Sequence, residues 1–225
     1  MQKRNYQAEL EQLMEQLAQE GRRPTLLVHA CCGPCNTKVL DTLAKAFAIT
    51  VLFYNPNIHP RKEYDKRCKA QADFIAAFND RHQHDVQFVE GKYDPRRFFE
   101  ATQGLGDEPE KGKRCEVCYE LRLQEAKKFA DELGCEYYTT SLTVSPYKNT
   151  EAVNRIGDEL DAEALSTSQA KFLHSDFKKK NGFRESVELA KEYGLYRQNY
   201  CGCIYSYTSR FGAMGKLSKE NIEKN

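Results

Sequence analysis

The sequence predicts an α/β protein: one parallel sheet flanked by helices, with loop and helical elaborations that carry cysteine motifs. Three observations lead there. Short apolar runs recur along the chain, each too brief for a helix. Segments with apolar residues at three- and four-residue spacing separate them, the pattern of strand–helix–strand crossovers in a parallel sheet. The third observation is placement. Most of the chemically reactive side chains fall in loops that follow an apolar run, and ligands bind at that edge in open α/β sheets.

Residues 5 to 20 form a helix with Tyr6, Leu10, Leu13, Met14 and Leu17 on one stripe, and Gly21 ends it. The first strand is Thr25 to His29. It runs into His29-Ala30-Cys31-Cys32-Gly33-Pro34-Cys35 and then a helix from Thr37 to Phe47. The second strand, Thr50 to Tyr54, leads into the turn-rich Asn55-Pro56-Asn57-Ile58-His59-Pro60. A helix from Lys62 to Phe78 precedes strand three, Val86 to Val89, whose exit reaches Asp94 and a short helix, Arg97 to Gln103. The polar loop 104–114 delivers Cys115-Glu116-Val117-Cys118 to the start of a helix that ends near Leu133. Strand four is Glu136 to Thr140, followed by the loop Ser141 to Tyr147 and a helix from Asn149 to Leu160. Lys171 to His174 is a short fifth strand and Phe183 to Tyr193 the last major helix, with Cys201-Gly202-Cys203 just after it. The chain reads as a single α/β domain over 1–225, with 1–22 as an N-terminal helix and 206–225 as a polar C-terminal tail.

Composition narrows the class. The chain has 225 residues, 40% of them hydrophobic, and a formal net charge of +1, so nucleic-acid contact has to come from local basic patches. Met1 to Asn5 is polar, without the apolar stretch of a secretory signal, and no apolar run approaches the ~20 residues that span a bilayer. The expected location is the cytoplasm, with no membrane partner. Nine cysteines in a reducing compartment argue against a disulfide framework and for metal or redox chemistry. Seven of them are grouped: Cys31, Cys32, Cys35; Cys115, Cys118; Cys201, Cys203. Cys68 and Cys135 stand alone and read as small buried hydrophobes.

Two thiols spaced by two residues at a helix start can face one metal centre, and helix amides favour the thiolate. Cys115 and Cys118 alone fit a zinc site, a redox pair or half of a cluster site. With Cys31 and Cys32 they supply four thiolates, and spacing does not decide between zinc and an iron–sulfur cluster. Gly202 permits a tight turn, so a disulfide between Cys201 and Cys203 is strained and easily reduced, which suits a redox-active pair. A second metal on the same two thiols is the alternative. Basic residues cluster at Lys111, Lys113 and Arg114, at Lys178, Lys179 and Lys180, and at Arg96 and Arg97, where they can form a phosphate-contacting rim. Tyr54, Tyr147, Tyr200 and Tyr205 are candidates for stacking on unpaired bases.

Five stretches, His29 to Cys35, Tyr54 to Pro60, Cys115-x-x-Cys118-Tyr119-x-Leu121-Arg122, Ser145-Pro146-Tyr147-Lys148-Asn149 and Tyr196 to Cys203, occur in this order. Over roughly residues 24 to 210 the chain resembles the cobalamin-independent epoxyqueuosine reductases (QueH). The resemblance implies a Rossmann-like (HUP-like) fold, with the cysteine turn where relatives of that fold hold a phosphate loop. It implies reduction of the epoxide of epoxyqueuosine, at the wobble position of tRNA, to queuosine. It also implies a [4Fe-4S] cluster on Cys31, Cys32, Cys115 and Cys118, and a redox-active pair at Cys201 and Cys203. A second, mononuclear iron is implied next to the cluster, assigned here to Cys35 and Asp94. An external electron donor is required. The physical case runs parallel: removing an epoxide oxygen takes two electrons and an acid for the departing oxygen, and grouped thiols can hold both. The rival from another class is a zinc-stabilised RNA-binding module without catalysis.

Overall fold

The run Thr25–His29 (β1) is apolar on both faces, and Leu26, Leu27 and Val28 are fully buried, as befits a strand inside a parallel sheet. Ala48–Phe53 (β2), Gln87–Glu90 (β3), Tyr137–Thr140 (β4) and Lys171–Phe172 (β5) complete the sheet in this computed structural model, which describes residues 4–164 and 169–212. The order is β3-β2-β1-β4-β5, every pair parallel, with Leu26 opposite Ile49 on one side and Tyr137 on the other. This is a Rossmann-like sheet whose chain reverses direction of growth beside β1, so the crevice between the exits of β1 and β4 is the place for a site.

Alternation along β1 sends Leu26 and Val28 to one face and Leu27 to the other. The first face is covered by Tyr6–Gln19 (α1), Gly33–Leu43 (α2) and Arg61–His82 (α3), through residues such as Leu10, Leu40 and Phe74. Pro95–Ala101 (α4) is a short helix after β3. The second face is covered by Lys113–Glu132 (α5) and Thr150–Ala162 (α6), through Leu123, Ala126, Val153 and Ile156. Gly182–Glu192 (α7) packs along α2, whose N-terminal turn carries the cysteine motif. None of the described helices is long and apolar enough to cross a membrane.

The differences from the sequence reading lie at element ends. α2 begins at Gly33 rather than Thr37, with Pro34 in its first turn, where a missing amide hydrogen costs nothing, so Cys35 is helical. Ser141–Val144 is a 3-10 turn instead of open loop. Ile204–Phe211 (α8) occupies the beginning of the stretch read as a polar tail. Residues 213–225 of that tail lie outside the described residues.

Candidate metal and redox site

Three thiols meet at the exit of β1. The Sγ atoms of Cys31, Cys32 and Cys35 lie within 4.8 Å of one another, and Cys31 and Cys32 are 3.8 Å apart. The geometry comes from the strand-to-helix turn: Cys32 is the extended N-cap of α2, and Cys35 folds back in the first helical turn. Ser141 fixes Cys31 from the 3-10 turn, its Oγ accepting from the Cys31 amide (3.0 Å) and donating to Cys31 Sγ (3.4 Å). Hydrogen bonds from Cys32 and Cys35 hold the Cys31 thiol well below its usual range, and Ser141 and Arg122 add to this against the opposing effect of burial. The protons stay on the neighbours: sharing with Cys31 pushes Cys32 up to about 12 and Cys35 well above its ordinary value. One thiolate among three close thiols is a soft, preassembled donor set of the kind zinc and iron–sulfur centres use.

Below this turn His29 is fully buried, and burial pushes it down to about 4, so it is neutral. Its Nε2 donates to the Tyr54 carbonyl (2.9 Å), so Nδ1 accepts from the Thr140 hydroxyl (2.9 Å). The imidazole therefore ties the exits of β1, β2 and β4 together and is a structural part of the floor.

Of the other grouped thiols, Cys115, Cys201 and Cys203 line the same cavity and Cys118 does not; among the described residues none of the four joins the close group of Cys31, Cys32 and Cys35. Cys115 sits in the first turn of α5, lines the cavity and packs on the apolar cluster that Cys31 also joins. Cys118 is buried one turn on, in an apolar cluster with Phe98 and Cys203, and desolvation raises its thiol. Cys201 and Cys203 are 3.3 Å apart, both as free thiols. Cys203 keeps the proton; its hydrogen bond and the nearby Lys148 ammonium hold Cys201 well below its usual range although burial opposes this. Cys203 is the N-cap of α8, accepting from the Ser206 amide (3.4 Å), while Ser206 Oγ accepts from the Cys201 amide (3.3 Å) and donates to Glu110 (2.9 Å). Gly202 has φ +114°, and a Cβ there would stand 2.8 Å from Ile58. The tight turn foreseen at this glycine is therefore imposed from both sides, by its backbone angle and by Ile58.

Cys31, Cys32, Cys35, Cys115, Cys201 and Cys203 line one cavity of about 520 Å³. The cavity is cationic: Arg67, Arg114, Arg122, Lys148, Arg197 and Arg210 face it against the single carboxylate of Glu110. Arg67 is paired with Glu63 (2.7 Å). Among the described residues the other five have no carboxylate ion pair. Arg114 and Arg122 are buried and donate to main-chain carbonyls, of Leu105 and Gly106 and of Cys118. Desolvation works against the Arg122 charge, but the thiols of Cys118 and Cys31 outweigh it. Such a chamber is built to hold negative charge.

Asp94 is not among the residues that line this cavity. It caps α4, accepting from the Arg96 amide (3.2 Å), and pairs with the Arg96 side chain (3.0 Å). Cys68 and Cys135 are in apolar clusters, as expected. Of the four tyrosines singled out, Tyr54 and Tyr200 are buried, Tyr205 is half-buried under Arg114, and Tyr147 is exposed. Lys178 is held by Asp176 and Thr150; Lys179 and Lys180 are both exposed, and Lys180 is paired with Glu11. Arg67, Arg122, Lys148 and Ser141 are site residues to which the sequence reading gave no role. For Arg122 a signal existed, since it lies four residues after Cys118 on the same helix face.

The family model "Epoxyqueuosine reductase QueH" matches residues 26–209. The chain is similar to proteins named epoxyqueuosine reductase QueH from Streptococcus pyogenes serotype M1 (43% identical, covering 91% of this chain and 79% of that one) and Staphylococcus epidermidis (39%, 91% and 85%). A third, from Thermotoga maritima, is 34% identical over 87% of this chain and 97% of that one. Among solved structures, the U34-tRNA thiolase NcsA from Methanococcus maripaludis with its [4Fe-4S] cluster is 11% identical, with a TM-score of 0.44 over 88% of this chain and 68% of that one. On the family match and the identity of these relatives, the chain belongs to the QueH family of oxidoreductases, the epoxyqueuosine reductases.

Proposed function

We propose that this protein reduces the epoxide of epoxyqueuosine in tRNA to the alkene of queuosine, the last step of queuosine biosynthesis. The observation that carries the reading is the convergence of six grouped thiols on one cationic cavity. The reaction consumes two electrons and two protons and releases the oxygen as water. When bound, an iron–sulfur cluster would supply electrons one at a time and an adjacent iron would supply a Lewis acid for the departing oxygen. Cys31, Cys32, Cys115 and Cys118 are the four ligands in this reading, and Cys35 is the candidate for a second iron because its Sγ adjoins the first pair.

The chain's own groups cover the rest of the balance. Cys201 and Cys203 hold two electrons and, with Cys201 as the thiolate, one proton; closing to a disulfide releases them, solvent supplies the second proton, and an external donor then restores the reduced pair. The Cys203 hydrogen bond, with Lys148 beside it, favours the Cys201 thiolate, and the buried arginines stabilise the negative charge that collects as electrons arrive. The apolar cluster of Phe98, Cys118 and Cys203 backs the dithiol on the side away from the cavity.

Anaerobic purification, iron and sulfide analysis and an assay on epoxyqueuosine-containing tRNA test the reading together. Serine at Cys31, Cys32, Cys115 or Cys118 should abolish visible cluster absorbance and turnover, whereas Cys68→Ser and Cys135→Ser keep both. The double change of Cys201 and Cys203 to serine should lose epoxide reduction with the absorbance intact. Asp94→Asn should leave the iron content unchanged. Stoichiometric zinc, no iron and no turnover would establish the RNA-binding module instead.

A further inference from the structure

The mouth of the thiol cavity carries an aromatic ring that the fold does not use. Tyr147 is 58% exposed, one of three large hydrophobic side chains that stand so far out among the described residues. Its backbone is held in place. Its amide donates to Ser145 Oγ (3.2 Å), which pins the backbone of the loop between the 3-10 turn and α6. Over it α8 brings the exposed Arg210, whose guanidinium carbon lies 5.8 Å from the centre of the Tyr147 ring. Arg210 is itself anchored, donating to the Asn199 carbonyl (2.6 Å). Both residues line the cavity that holds the grouped thiols, and exposed Arg197 stands on the same lip.

We infer that Tyr147 and Arg210 form a stacking platform for an unpaired nucleobase of RNA at the entrance of the site. The inference rests on the tRNA substrate proposed above and adds the residues that take the base. Charge complementarity selects the occupant: six cations against one carboxylate around the mouth and floor repel a basic protein surface and attract a phosphodiester chain. An exposed aromatic face beside a guanidinium plane is the arrangement that holds splayed-out bases, because every base has a π-face. The platform also solves a geometric problem. The reacting carbons have to reach the buried thiols while the planar base to which they are attached stays at the lip. The same loop borders a second cavity of about 770 Å³, where Lys111, Lys148 and Lys179 offer contacts to the strand that leads away.

The test uses the full-length, anaerobically prepared protein and an RNA hairpin with the sequence of the anticodon stem and loop, carrying 2-aminopurine in the loop. Stacking quenches that fluorophore. Wild type and Tyr147→Phe should bind and quench alike. Tyr147→Ala should bind about 5- to 150-fold more weakly, the ratio that corresponds to ~1–3 kcal/mol of stacking at 1.4 kcal/mol per decade. The quench should vanish, while the cluster absorbance and the affinity for a loop-free RNA duplex stay at wild-type levels. Unchanged affinity and quench in Tyr147→Ala would overturn the platform and leave the proposed activity standing. Failure of wild type to bind the hairpin would overturn both. If Tyr147→Ala binds RNA normally but loses turnover only when a protein reductant replaces a chemical one, the lip belongs to a redox partner and the RNA assignment falls.

Discussion

Arg67 is 2% exposed, and a guanidinium in that position needs compensation for the water it has lost. Its partners show what it does. Nε donates to Glu63 (2.7 Å), and the two terminal nitrogens donate to the Cys201 carbonyl (3.0 Å) and the Tyr200 carbonyl (3.3 Å). The fork of α3 thus grips the backbone that carries the Cys201–Cys203 pair, with the Tyr200 ring 5.0 Å below it. His59 adds a third tie, its amide donating to the Gly202 carbonyl (3.0 Å). Lysine cannot reproduce a planar fork, so Arg67→Lys should loosen this loop while keeping the charge. The expected outcome is a slower reaction of Cys201 with iodoacetamide and reduced epoxide turnover, with the cluster absorbance unchanged. Gly202→Ala should act more strongly, because a Cβ meets Ile58 at 2.8 Å and the backbone is at φ +114°; about 1–3 kcal/mol of destabilisation is the scale for such strain. Thermal unfolding and alkylation rates of both variants check this. Wild-type alkylation in both would show that the loop holds the thiols without these contacts.

At the scale of elements, helices carry charged runs into places that a linear reading cannot see. Lys178 and Lys180 are consecutive-run lysines with internal duties, one bound to Asp176 and Thr150, the other to Glu11 of α1. Lys179 alone projects outward without an ion pair among the described residues. Lys179→Glu should therefore lower the slope of log affinity for tRNA against log salt by about one, without loss of stability. Reversing all three should also lower the unfolding midpoint, because α1 loses its tie to the loop before α7. An unchanged slope in Lys179→Glu makes this run plain solvated surface. The same limit explains what was legible beforehand. Apolar period and length were enough for the parallel sheet and for the thiols at its carboxyl edge, since β1 and the Cys31 turn are local features. Strand order is not local. β3 is the sheet edge, two strands from β1, so Asp94 leaves the sheet roughly 10 Å from the β1 exit, although both follow a strand. α8 was hidden because its apolar residues, Ile204, Tyr205, Tyr207 and Phe211, form only a short stripe next to a polar end. Arg67 and Lys148 were hidden because nothing in a single sequence distinguishes a buried cation from a solvated one.

Across the whole molecule the charge is balanced and its distribution is not. Formal net charge is +1, yet the cavity concentrates cations with one opposing carboxylate. Uncompensated buried charge is costly, so this arrangement has to be matched by negative charge on the thiols or on what they bind. Arg122 is the sharpest case: buried, bonded through Nε to the Cys118 carbonyl (2.9 Å), and flanked by Cys31, Cys118 and Cys201. A group that binds only the folded chain raises its stability by mass action, and Arg122 should supply part of the affinity for a thiolate-bound centre. Arg122→Met keeps much of the volume and removes the charge. The metal-free protein should then be no more stable than wild type, because the neighbouring thiols already favour the buried cation and the Cys118 carbonyl loses its donor. The reconstituted protein should gain less from loading, with the difference between loaded and metal-free forms reduced by about 1.5–3 kcal/mol, the scale of one hydrogen-bonded charge. Anaerobic calorimetry on both forms of both proteins measures the two differences directly. An equal gain on loading in wild type and Arg122→Met would mean that the arginine serves packing alone, and that the cationic chamber does not help to hold what the cysteines bind.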